Sequence, residues 1–125
     1  MHEFSTAQKI CGVVLSVASE RRAKKVVEVE LLIGSLTFLN LDQLKFCLEL
    51  LFEKTIADGA KIKIETSPPK IRCNNCGFEG VVEYRGPEYH TPYFMLSLRC
   101  PKCDSEDTEI IGGKELLVKS IKVVM

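Results

Sequence analysis

The sequence has no surplus of either charge: 17 Lys and Arg residues balance 17 Asp and Glu. Duplex nucleic acid and anionic membranes select a basic excess, so neither is an expected partner. No apolar run approaches the ~20 residues that span a bilayer. The stretch from Ile10 to Ala18 has the length of a signal h-region. However, Glu3 precedes it, Lys9 borders it and the n-region is not basic, so no cleaved signal is expected and the location is read as cytoplasmic. No glycine-rich phosphate loop is present, so any nucleotide chemistry would belong to a partner. Histidine is scarce, with only His2 and His90. One of the two therefore stands beside the α-amine of Met1.

What is present suffices for a core. Hydrophobic residues make up 46% of the 125, which fits one ordinary domain or two very small ones and excludes wholesale disorder. Phe4, Ala7, Cys11, Val14 and Ala18 recur at helical spacing, widened by Ile10 and Leu15, and predict an amphipathic helix over about 3–22. Val27, Val29, Leu31 and Ile33 alternate with Glu28 and Glu30, predicting a half-buried strand ended by Gly34. Asn40, with Gln43 three residues on and Leu39 facing Leu44, predicts a capped helix that stops near residues 57–59. A second strand is read at 61–65.

Two breaks follow, at "TSPPK" (66–70) and "IIGGK" (110–114), and strand-like composition closes the chain. The expected fold class is α+β. A small three-stranded sheet is packed by two helices, with a zinc-ribbon-like four-cysteine module inserted. The expected domains are 1–66 plus 111–125, and 67–110. A hinged insert also permits a homodimer by domain swapping.

The inserted segment holds two C-x-x-C pairs, Cys73/Cys76 and Cys100/Cys103. Each knuckle aims two sulfurs at one point. Gly77 can take the left-handed conformation that closes the first turn, and Pro101 presets a backbone angle in the second. Four thiolates suit tetrahedral zinc, and they leave no open position for hydrolysis. The alternatives are a rubredoxin-like iron centre or two disulfides. Cys11 and Cys47 fall on apolar helix faces and are read as small core hydrophobes.

The tip of the chain offers a different donor set. The amine of Met1, the amide nitrogen of His2 and its imidazole Nδ1 close a five-membered and a six-membered chelate ring around one ion. Such a nitrogen-rich, nearly planar set favours Ni(II) or Cu(II). The first N–H groups of a helix lack intrahelical partners, so an amide there can ionise without breaking a helical bond. Glu3 adds negative charge beside it.

Taken together, the "MHE" start, the amphipathic first helix, "VEVELLIGSL", the paired cysteines after a proline break and the strand-like tail resemble the HypA family. These are nickel metallochaperones of nickel–iron hydrogenase maturation, some of which also serve urease. The resemblance implies a nickel domain with an inserted structural-zinc domain, and no enzymatic activity. It implies transferable Ni(II) held by His2 with the nitrogens of Met1, Glu3 beside the site, and His90 in the zinc loop as a further ligand. The implied partners are a HypB-type GTPase and the hydrogenase large-subunit precursor. The other reading of the same residues is a zinc-ribbon adaptor or scaffold protein with no nickel role.

Overall fold

The computed structural model describes residues 2–83 and 98–125. The chain divides into two compact units, one comprising Met1–Leu32, Leu39–Glu65 and Leu116–Met125, the other Ile33–Phe38 and Thr66–Glu115. The second unit thus includes a short segment, Ile33–Phe38, that lies early in the sequence.

In the first unit, helix α1 (Glu3–Glu20) packs on helix α2 (Leu41–Phe52). Beside them is a three-stranded sheet in the order β2 (Lys61–Ser67), β1 (Lys25–Gly34), β6 (Leu116–Val124). The returning tail therefore supplies the third strand, as the sequence predicts. The core gathers Ala7, Ile10, Val14 and Ala18 from α1, Val26, Val29 and Leu31 from β1, and Leu44, Leu48 and Phe52 from α2. Cys11 and Cys47 are buried with them. Burial raises the Cys11 thiol above its ordinary value, which suits a small hydrophobe rather than a nucleophile.

Three local expectations change. Phe4 is 51% exposed, and Thr6 is buried on α1. Glu3 reaches across to Asn40 (Oε1 accepts from N at 3.0 Å), and Phe4, about 100° further round the helix, faces outward. At the start of β1, Val26 is buried and Val27 exposed, opposite to the predicted alternation. The Val26 N–H donates to Ile56 O at 2.9 Å, and regular alternation starts only from Val29. Helix α2 ends at Phe52, short of the predicted stop. The Thr55 hydroxyl donates to Phe52 O at 2.6 Å, and Asp58 Oδ2 accepts from Lys54 N at 3.2 Å, so side chains compete for the groups that would extend the helix.

The end of α1 carries a testable strain. Arg22 N donates to Ser19 O and Ala23 N to Ala18 O, both at 3.0 Å, which is the Schellman pattern. Its left-handed position, normally glycine, is held by Arg22 at φ 54°. Arg22→Gly is expected to stabilise the protein by about 0.5–1 kcal/mol, after allowance for glycine's larger unfolded-state entropy. A denaturant midpoint unchanged or lowered would contradict this.

In the second unit, β3 (Lys70–Cys73) pairs antiparallel with β4 (Glu79–Val81) and with β5 (Thr108–Gly112). Lys70 pairs with Gly112 but Ile71 with Ile110, so Ile111 is the extra residue of a bulge. The predicted break at "IIGGK" is therefore strand as far as Gly112. The "TSPPK" break shrinks to Pro68 and Pro69, between the end of β2 and the start of β3. Among the described residues, the core here gathers the buried Leu36, Ile71 and Leu98, with Phe38, Phe78, Val82 and Ile110 packed against them. Among the described residues, no helix is long and apolar enough to cross a membrane.

Candidate metal centres

The two knuckles are built alike. In the first, Gly77 N donates to Cys73 O at 3.0 Å, and Gly77 sits at φ 79°. In the second, Asp104 N donates to Cys100 O at 2.9 Å, and Asp104 sits at φ 62°. Each turn is thus closed by a left-handed residue directly after its second cysteine. Gly77 is where the sequence places it. Asp104 carries no comparable signal, although aspartate is among the few other residues that tolerate this conformation.

Sheet pairing brings the knuckles together. Cys73 ends β3, and Asn74 N donates to Asp107 O at 2.9 Å, directly before β5. Cys73 Sγ lies 3.6 Å from Cys103 Sγ, and Cys76 Sγ 3.6 Å from Cys100 Sγ. All four sulfurs lie within 4.8 Å of one another. A tetrahedron with zinc–sulfur bonds near 2.3 Å has edges of about 3.8 Å, so the donor set fits this ion. All four cysteines are free thiols, and disulfide bonding would need sulfurs at about 2.0 Å, so the disulfide alternative falls. Cys73 and Cys100 are buried, while Cys76 and Cys103 are exposed.

Charge explains why the cluster needs a cation. The Asn75 side-chain amide and the Ser105 N–H stabilise the Cys103 thiolate and hold its thiol down to about 6. The Phe78 N–H helps the Cys76 thiolate, but desolvation and the three other sulfurs outweigh it and push that thiol up to about 11. Four adjacent sulfurs do not all ionise unless a positive ion offsets their repulsion.

The tip of the chain is organised differently. His2 is the N-cap of α1, extended at φ −91° and ψ 133°, and its side chain makes no capping bond. Its carbonyl accepts from Thr6 N at 3.0 Å and from Ser5 Oγ at 3.1 Å, which fixes the backbone next to the exposed imidazole. The Asn40 N–H holds the Glu3 carboxyl below its ordinary value, so this group is ionised at neutral pH. Asn40 also caps α2 by accepting from Gln43 N at 3.1 Å. The predicted cap is present, and Glu3 satisfies the N–H of Asn40, where a capping box would use Gln43. The structure thus brings Asn40 to Glu3 across 37 positions, a proximity with no local signal in the sequence. Met1 and His90 lie outside the described residues.

Residues 1–123 match the family described as "Hydrogenase/urease nickel incorporation, metallochaperone, hypA". Hydrogenase maturation factor HypA of Methanopyrus kandleri is 39% identical, with 98% of this chain and 93% of that protein aligned. The protein of the same name from Methanothermobacter thermautotrophicus is also 39% identical, over 98% and 97% of the two chains. The fold is similar to the solution structure of the Ni metallochaperone HypA from Helicobacter pylori. The TM-score is 0.68 at 19% identity, covering 99% of this chain and 98% of that one. On the full-length family match and these identities, the chain belongs to the HypA family.

Proposed function

We propose that this protein binds Ni(II) at its amino terminus and delivers it for hydrogenase maturation, while Cys73, Cys76, Cys100 and Cys103 hold a structural zinc. The observation that carries the nickel reading is the placement of His2. It is exposed at the N-cap of α1, free of any capping bond, and next to a Glu3 carboxylate already fixed on Asn40. Family membership supports the same role, since the matching description names nickel incorporation.

The cargo ion is taken by the Met1 amine, the His2 amide nitrogen and His2 Nδ1. The partial positive charge at a helix start opposes a cation, and chelation together with the Glu3 charge offsets it. Amide ionisation makes uptake stronger as pH rises. A site built on the exposed His2 allows ligand exchange, which transfer requires. No bond is made or broken in a substrate, so the role is binding and handover. His90 is a further candidate ligand, and nickel titrations of His90→Ala that match wild type would remove it. The proposed recipients and donors are a HypB-type GTPase and the hydrogenase large-subunit precursor.

The test is nickel titration of His2→Ala with zinc measured alongside. Stoichiometric nickel binding is expected to vanish while the zinc content stays unchanged. Undiminished nickel uptake would leave the cysteine module as a scaffold with no nickel role.

A further inference from the structure

The two knuckles are near copies, and one side chain breaks the likeness. In each, the first cysteine sulfur accepts a backbone N–H: Cys76 N to Cys73 Sγ at 3.5 Å, and Lys102 N to Cys100 Sγ at 3.4 Å. Both of these sulfurs belong to buried residues, and the second cysteine of each knuckle is exposed. The residue just before the second cysteine is Asn75 in one knuckle and Lys102 in the other. Asn75 Nδ2 crosses the cluster and donates to Cys103 Sγ at 3.5 Å. Among the described residues, Asn75 is the one side chain other than a cysteine that donates to a cluster sulfur, so Lys102 makes no matching bond to Cys76.

Its neighbour does something else. Asn74 donates through Nδ2 to Asp107 Oδ1 at 3.1 Å and through its backbone to Asp107 O at 2.9 Å. Asn74 ties the knuckle to Asp107 through both side chain and backbone, and among the described residues it donates to no cluster sulfur. The dipeptide between Cys73 and Cys76 thus separates two tasks.

We propose that Asn75 is a positioning residue for the metal: it fastens the exposed Cys103 to the cluster, while Cys76, also exposed, has no such side-chain donor among the described residues. A donor to a coordinated thiolate stabilises its charge and fixes its direction, and losing such an outer partner typically weakens metal binding 10–100-fold. The zinc site accordingly has a firm side and a loose side, and Cys76 is where it opens first. This inference rests on the zinc reading above.

The experiment uses the full-length zinc-loaded protein. Its affinity is measured by competition with a chromophoric chelator, and alkylation by iodoacetamide is followed by mass mapping of each cysteine. Wild type is expected to bind one zinc and to be alkylated at Cys76 before Cys103. Asn75→Leu, similar in size and unable to donate, is expected to weaken zinc about 10–100-fold and to bring Cys103 labelling up to the Cys76 rate. Asn74→Ala is expected to lower thermal stability and leave the labelling order intact. If Asn75→Leu does not fold, Asn75→Ser, a shorter donor, is used, with a loss of preference expected. Wild-type affinity together with unchanged labelling order in the Asn75 variant overturns the proposal. Wild-type protein that binds no zinc overturns the zinc reading itself, a distinguishable result.

Discussion

Cys73→Ser is expected to abolish stoichiometric zinc and to unfold the unit that carries it, while leaving the helices of the other unit folded. Cys73 is 1% exposed, and its sulfur is 3.6 Å from that of Cys103. A serine oxygen is a poor substitute for a thiolate ligand. Among the described residues the unit has a small apolar cluster around Leu36, Ile71 and Leu98, three short strands, and the exposed ion pairs of Arg72 with Glu79 and Glu109 and of Arg99 with Asp104 and Glu106. Solvent screens exposed ion pairs, so they hold little. A structural zinc contributes far more, an apparent 10–16 kcal/mol or so near pH 7. Zinc content by mass spectrometry and amide spectra by NMR test this. Loss of the Lys70–Cys73 and Thr108–Gly112 resonances with the α1 and α2 signals retained is the expected pattern. Acid is expected to mimic the substitution, since protons displace the metal from thiolates as pH falls. An intact sheet with a full zinc complement would contradict the account.

Gly34→Ala is expected to destabilise the second unit by about 3 kcal/mol or more, beyond the usual range of overpacking. A methyl group at Gly34 would lie 2.0 Å from Gly113 O and 2.2 Å from its carbonyl carbon. Both are backbone atoms, so no rotamer change relieves the clash. The surrounding contacts fix the approach. Gly34 N donates to Glu115 O at 2.7 Å, and Leu36 N to Gly113 O at 2.8 Å. The Glu115 carboxylate holds the turn by accepting from Gly113 N at 2.6 Å and Ser67 Oγ at 3.0 Å. Gly113 has little freedom to move aside, since it sits at φ 100° with Pro69 Cα 2.9 Å from where its own methyl group would be. Chemical denaturation followed by a probe in the second unit measures the effect. A loss under 1 kcal/mol would mean that this backbone contact is not kept in solution.

These two cases show what a sequence can disclose. The cysteine quartet is legible because each knuckle is local, and two knuckles supply the four thiolates of a tetrahedral site. The helices and the first two strands of the three-stranded sheet are legible from periodicity, and its third strand from the strand-like composition of the tail. Asn40 is legible as a cap, because capping chemistry acts within four residues. Gly34 looks like an ordinary strand end, and its need for glycine appears only once residue 113 is set against it. Strands β3 and β5 escape notice because they run for four and five residues. The knuckles and the bulge at Ile111, more than any long alternation, fix their register. The Glu3–Asn40 bond is hidden for the same reason: two remote elements meet. His2 stands out only through its position at the tip.

The central claim concerns that tip, and acetylation of the α-amine tests it most directly. Untagged protein beginning at Met1 is titrated with nickel near neutral pH, before and after selective acetylation, with absorption spectroscopy reporting the ligand set. The account predicts one nickel bound through nitrogen donors before acetylation and none after it, with zinc retained in both samples. Equal nickel binding by the acetylated protein would contradict it.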